Sequence, residues 1–91
     1  MSVTVRIPAQ LRTLTGGAGE LPLSGSTVAE VLKDLDATHP GFADRLFDET
    51  GGLRRFVNIF LDDEDVRFLQ GLDTPLTDGQ TLSIVPAVAG G

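Results

Sequence analysis

"STVAEVLKDLDATHP", residues 26–40, is the stretch on which the fold turns. Val28, Val31, Leu32 and Leu35 recur at the three- and four-residue spacing that puts them on one side of a helix. Thr27 and Glu30 stand at capping-box spacing, where each side chain satisfies a backbone donor at the start of the first turn. Pro40 has no N–H to continue the ladder and stops the run. A helix with one apolar stripe must cover something, and the flanking segments say what.

On the N-terminal side, "SVTVRIP" (2–8) alternates: Val3, Val5 and Ile7 share one face, while Ser2, Thr4 and Arg6 share the other. This period of two marks a half-buried strand. Pro8 closes it, "TGGAG" (15–19) is a turn, and "ELPL" (20–23) is a weaker second strand, giving a hairpin. On the C-terminal side, residues 41–55 read as irregular, with a short helical turn around "FADRLF" (42–47). "RFVNIFLDD" (55–63) alternates again, Val57, Ile59 and Leu61 against Phe56, Asn58 and Phe60. "DDED" (62–65) is a turn, "VRFL" (66–69) a short strand and "TPLTDG" (74–79) a loop and turn. "QTLSIVP" (80–86) is the last strand, with Leu82 and Ile84 inward.

One helix between two such groups of strands makes an α+β fold, a mixed four- to five-stranded sheet packed on one main helix. A hairpin at each end of the helix is the β-grasp, ubiquitin-like arrangement. The expected division is a single β-grasp domain over residues 1–86 and a flexible C-terminal tail over 87–91. One sheet face lies under the helix, so the other must meet solvent or a partner.

A chain of 91 residues buries only about 60–65% of its unfolded surface, too little interior for a large internal pocket. Function is therefore expected on a face or at a terminus. Thirteen acidic against seven basic residues give a net charge of −6, which disfavours nucleic acid and favours a basic partner. The absence of cysteine excludes disulfides, thiolate metal sites and thiol nucleophiles. No apolar run approaches the roughly 18–20 residues that span a membrane, and the N-terminus runs straight into a strand. A soluble, cytoplasmic protein is expected, with no membrane partner.

The usual marks of catalysis are missing. His39 is the sole histidine, beside Pro40 at a helix end, with no nucleophile or carboxylate placed to orient it. "DDED" lacks the glycine and distal glutamate of a calcium loop and reads as a solvated turn. "TGGAG" lacks the lysine and hydroxyl residue of a phosphate-binding loop. The chain is therefore expected to be no enzyme by itself, and to hold neither metal nor cofactor.

The end of the chain, "IVPAVAGG" (84–91), carries a stronger signal: the last strand passes through Pro86 straight into Gly90 and Gly91. "PLTDGQTLSIVPAVAGG" (75–91) resembles the C-terminal signature of the ThiS/MoaD family of ubiquitin-like sulfur-carrier proteins. That signature is a Leu-x-Asp-Gly turn, an apolar strand, a proline and Gly-Gly. "LRTLTGG" (11–17) and "GSTVAEVLKDL" (25–35) also sit where that family carries similar sequence. "RFVNIFLDDEDVRF" with "PAVAGG" is most similar to an actinobacterial branch that serves cysteine formation. MoaD-type members tend to carry Pro-Pro before the tail, whereas here Ala87 follows Pro86.

The resemblance implies a protein co-substrate. Gly91 would be adenylated, at the expense of ATP, by a ubiquitin-activating-type adenylyltransferase (MoeB/ThiF-like). Its carboxylate would then become a thiocarboxylate. Ala87, Val88, Ala89 and Gly90 would thread the partner's active site. Extended chain from Pro86 to Gly91 reaches about 17–20 Å, at ~3.3–3.6 Å per residue. The glycines lack the Cβ atoms that would block a narrow channel. The sulfur would pass to a PLP-dependent cysteine synthase or another sulfur-accepting synthase, and a metalloprotease would release cysteine. Molybdopterin, thiazole or thiosugar assembly are alternative destinations. A protein modifier joined through Gly91 and a non-covalent binding module are alternative roles. Lys33, the sole lysine, would limit self-conjugation to itself or the N-terminus.

For docking, the sheet face away from the helix offers Phe56, Phe60 and Asn58, with Arg6 and Val85 as neighbours. The competing reading has residues 41–55, or an edge strand, covering the phenylalanines. Arg54 and Arg55 read as solvated charges.

Overall fold

The computed structural model describes residues 2–55 and 57–86. Five strands and two α-helices follow in the order β1 (Ser2–Arg6), β2 (Glu20–Ser24), α1 (Val28–Thr38), α2 (Phe42–Leu46), β3 (Val57–Leu61), β4 (Glu64–Asp65) and β5 (Thr81–Pro86). The strands form one sheet in the spatial order β2-β1-β5-β3-β4. β1 runs parallel to β5 and antiparallel to β2, and β3 is antiparallel to both β4 and β5. The sheet is therefore mixed, as expected for a β-grasp fold, and its middle strand is the last one in the chain.

The alternation in the sequence becomes the core directly. Val3, Val5, Leu23, Val57, Ile59, Leu61, Leu82 and Ile84 are buried on the sheet's inner face. Val28, Val31, Leu32 and Leu35 of α1 are buried against them without residual exposure. Removing one such side chain from water contributes about 1.5–3 kcal/mol, which is why two different periodicities in sequence converge on one interface. α1 starts as its cap requires: Thr27 Oγ1 accepts from the Glu30 N–H at 3.2 Å. The returning Glu30 carboxylate accepts from Ser26 N at 3.1 Å rather than from Thr27. Ser26 and Val28 are also held in place by backbone bonds, the Leu76 N–H to Ser26 O and the Val28 N–H to Thr74 O.

Three segments refine the sequence reading. The chain from Ala9 to Thr15 is a 3-10 helix rather than a plain connection into the turn. It inserts Leu11 into the core and buries Thr15, whose hydroxyl reaches Arg12 O and Ala18 O at 3.0 and 2.8 Å. Residues 42–46 form α2, whose Phe42 and Leu46 join the core; the Asp36 carboxylate accepts from the Ala43 N–H at 2.9 Å at its start. The expected strand at 66–69 is corrected. The strand pairing lies earlier, at Glu64–Asp65, and Val66–Phe68 is a 3-10 turn. The cause is Asp65, whose carboxylate accepts from the Arg67 N–H at 2.9 Å and offers the backbone an alternative to the ladder.

Candidate functional site

The site is built around the end of β5. Hydrogen-bonded to β1 on one side and β3 on the other, β5 is the middle strand of the sheet. Its entry is fixed by the "LTDG" turn. Leu76 is buried, Asp78 accepts from the Ser2 N–H at 2.8 Å, and Gly79 takes a φ of 88° that a side chain would resist. At its exit Pro86 stands opposite Val57 of β3. The tail residues Ala87, Val88, Ala89, Gly90 and Gly91, and the docking candidate Phe56, lie outside the described residues.

The other docking candidates fall on the sheet face away from α1. Register places Glu20, Arg6, Ser83, Phe60 and Asp65 in one row across all five strands. Val85 and Asn58 make the neighbouring row nearer the tail. Phe60 is partly buried, while Val85 is 42% exposed. Arg6 pairs with Glu20 at 3.2 Å between strongly exposed side chains, a contact worth about 0.2–1 kcal/mol. Phe60, Asn58 and Val85 thus sit together, and Arg6 stands two strands away from β3.

A residue the sequence reading passed over ties this face together. Arg67 donates from Nη1 to Asn58 Oδ1 at 2.7 Å and from Nη2 to Arg54 O at 2.9 Å. The pairing depends on the length of the β3–β4 hairpin, which brings residues nine positions apart face to face. On the α1 side, an apolar groove of about 310 Å³ opens beside the tail root. It is lined by Leu11, Leu46, Val57, Ile84 and Pro86, with Gln10 and Arg45 as its polar members.

The remaining polar features have structural tasks. His39 caps α1, its N–H bonding Leu35 O. Asp62, at a φ of 54°, accepts from the Thr81 N–H and from Gln80 Nε2, so the acidic turn is stitched to β5. Asp48 closes the 48–52 turn. The Thr50 hydroxyl at 2.6 Å, and then the Thr50 N–H at 2.9 Å, hold its carboxyl below the ordinary aspartate range. Arg54 Nε donates to Asp44 O. No helix among the described residues is long and apolar enough to cross a membrane.

Comparison with known proteins places this geometry. The chain matches the ThiS family over residues 5–91. It is 50% identical over 93 residues to a Mycobacterium tuberculosis protein named sulfur carrier protein CysO, covering both chains completely. It superposes with a TM-score of 0.92 on a chain of the Amycolatopsis orientalis BexX/CysO complex, at 49% identity over 98% of this chain and 99% of that one. It also superposes with a TM-score of 0.84 on small archaeal modifier protein 1 of Methanosarcina acetivorans, at 36% identity over 99% of this chain and 96% of that one.

Proposed function

Because the chain belongs to the ThiS family, we propose that it is a sulfur carrier with Gly91 as its loading point. The observation that carries the reading is the position of β5. The strand leading to the Gly-Gly tail is the central, doubly paired strand, so a terminus attached to it is presented by a rigid body. The full-length likeness to a named sulfur carrier supports the same reading.

At neutral pH a terminal carboxyl, with an ordinary pKa of about 3.3–3.7, is a carboxylate and resists nucleophilic attack. A MoeB/ThiF-like adenylyltransferase removes that obstacle. A carboxylate oxygen of Gly91 attacks the α-phosphorus of ATP, pyrophosphate leaves, and the mixed anhydride has AMP as a good leaving group. Sulfide then attacks the carbonyl carbon and expels AMP, leaving a thiocarboxylate; a persulfide expels AMP in the same way to give an acyl disulfide, whose S–S bond a thiol must reduce to free the thiocarboxylate. This chain contributes position and steric freedom: Pro86 has no N–H to donate to a ladder, and residues 87–91 carry small or β-branched side chains and finally none. The sulfur passes next to an activated serine-derived intermediate on a PLP-dependent cysteine synthase, and a metalloprotease frees the cysteine formed on Gly91. PLP, metal and ATP belong to those enzymes.

Replacing Gly91 with Val tests the assignment. The variant should keep the wild-type melting curve and fail to gain the mass of one sulfur for one oxygen after incubation with adenylyltransferase, ATP and a sulfur source. A full mass gain in Gly91→Val overturns the role given to the bare terminus.

The likeness to a small archaeal modifier protein favours one second reading, conjugation of Gly91 to lysines of other proteins. Accumulation of isopeptide-linked adducts in cells, without a free thioacid, would select it.

A further inference from the structure

Among the described residues, three large apolar side chains are exposed: Phe68 at 87%, Leu69 at 39% and Val85 at 42%. Phe68 ends the 3-10 turn after β4 and Leu69 caps it, and the third stands one residue before Pro86. We propose that this turn, with Phe68 as its anchor, is a docking element for the adenylating enzyme, which would offer an apolar pocket rimmed by arginine or lysine. The inference rests on the sulfur-carrier reading and extends it to the body of the chain.

Phe68 is held outward rather than left loose. Val66, two residues before it, is buried and fills the core position. Between them Arg67 is fixed at both ends, its N–H on Asp65 Oδ1 and its guanidinium on Asn58 and Arg54 O. After Phe68, the Leu69 N–H closes the turn on Val66 O at 2.9 Å. An aromatic ring carried on so constrained a backbone loses little further freedom on docking, which is the setting in which one side chain dominates an interface.

Charge indicates the chemistry of the occupant. Asp62, Asp63, Glu64, Asp65 and Asp73 flank the turn in sequence, and the one cation among residues 62–73, Arg67, is already bonded to two acceptors on its own chain. An apolar anchor in an acidic setting fits a basic-rimmed pocket. Position indicates which partner. Arg67 bonds Asn58, Asn58 faces Val85, and Val85 precedes the tail root, so the turn is continuous with the surface from which the tail departs. The tail itself, Ala-Val-Ala-Gly-Gly, has few distinguishing groups, so the enzyme that must first select this carrier needs contacts on the body.

The test is ATP–pyrophosphate exchange by the ThiF-like adenylyltransferase of the same cells, measured against the concentration of the full-length carrier. Phe68→Ala should raise the half-saturating concentration by about tenfold or more while keeping the limiting rate, as loss of an interface anchor does. Its thermal unfolding should match wild type, because the ring contributes little to the core. Phe68→Leu should recover part of the loss, and higher ionic strength should weaken the wild-type carrier. If wild type supports exchange and Phe68→Ala saturates identically, or loses only limiting rate, the docking role is overturned. If wild type supports no exchange, the carrier reading fails, and the docking role with it.

Discussion

Gly25→Ala tests how closely the chain is fitted where the hairpin meets the helix. A Cβ at position 25 would lie 2.7 Å from Val31 N, 2.8 Å from Val31 Cγ2 and 3.0 Å from the Glu30 carbonyl carbon. Two of these are backbone atoms inside α1, so no rotamer change relieves the contact. The flanks are also fixed, with the Ser24 N–H on Asp34 Oδ2 and the Ser26 N–H on Glu30 Oε1, both at 3.1 Å. Relief requires α1 to move off the sheet, loosening Val28, Val31 and Leu32, all fully buried. Overpacking of this kind costs about 1–3 kcal/mol. For a domain of this size each kcal/mol lowers Tm by roughly 4–8 °C. The control is Gly52→Ala, where the nearest atoms are 3.7 and 4.0 Å away; there the shorter list of unfolded conformations should leave stability equal or raised by about 0.4–1 kcal/mol. Urea unfolding and calorimetry on both variants provide the comparison. A Gly25→Ala protein within about 0.5 kcal/mol of wild type, the range of an ordinary surface change, would refute the packing argument.

Thr27→Ala removes the side-chain acceptor for the Glu30 N–H and should cost about 1 kcal/mol, read by the same unfolding curves; no loss would mean that the cap is idle. Asp48 should titrate below an ordinary aspartate in carbon-detected NMR, and Thr50→Ala should move it up toward the ordinary aspartate range. Since the folded pKa is the depressed one, the stabilisation is present above the unfolded pKa and lost as pH falls through the folded value. An unmoved midpoint in Thr50→Ala would remove the hydroxyl as the main cause. Gly91→Val should separate fold from chemistry, with stability retained and sulfur loading lost.

The elements legible in sequence are those whose signal is periodic and local. The alternation of Val3, Val5 and Ile7, and of Leu82 and Ile84, marks β1 and β5 because a half-buried strand imposes it. Thr27 and Glu30 mark the start of α1 because capping is satisfied within one turn. At 66–69, Val66 and Phe68 share a parity that imitates a strand, while a single hydrogen bond from Arg67 N to Asp65 turns the backbone instead. The helix at 9–15 has no period to read; it is secured where Leu11 meets the core. The Arg67–Asn58 bond and the Val85–Asn58 pairing depend on hairpin length and strand register, which emerge only when the sheet assembles. The Gly-Gly tail differs from all of these, since chain order alone puts it after the last strand.

Whether Gly91 carries sulfur is read by intact-mass analysis of the protein purified from its own cells, with fragmentation to locate the change. A sulfur carrier of this kind should show a population in which one oxygen is replaced by one sulfur on Gly91, together with a fraction bearing one added cysteine there. Protein carrying only the unmodified Gly91 carboxylate, in cells that are actively making cysteine, would contradict that role.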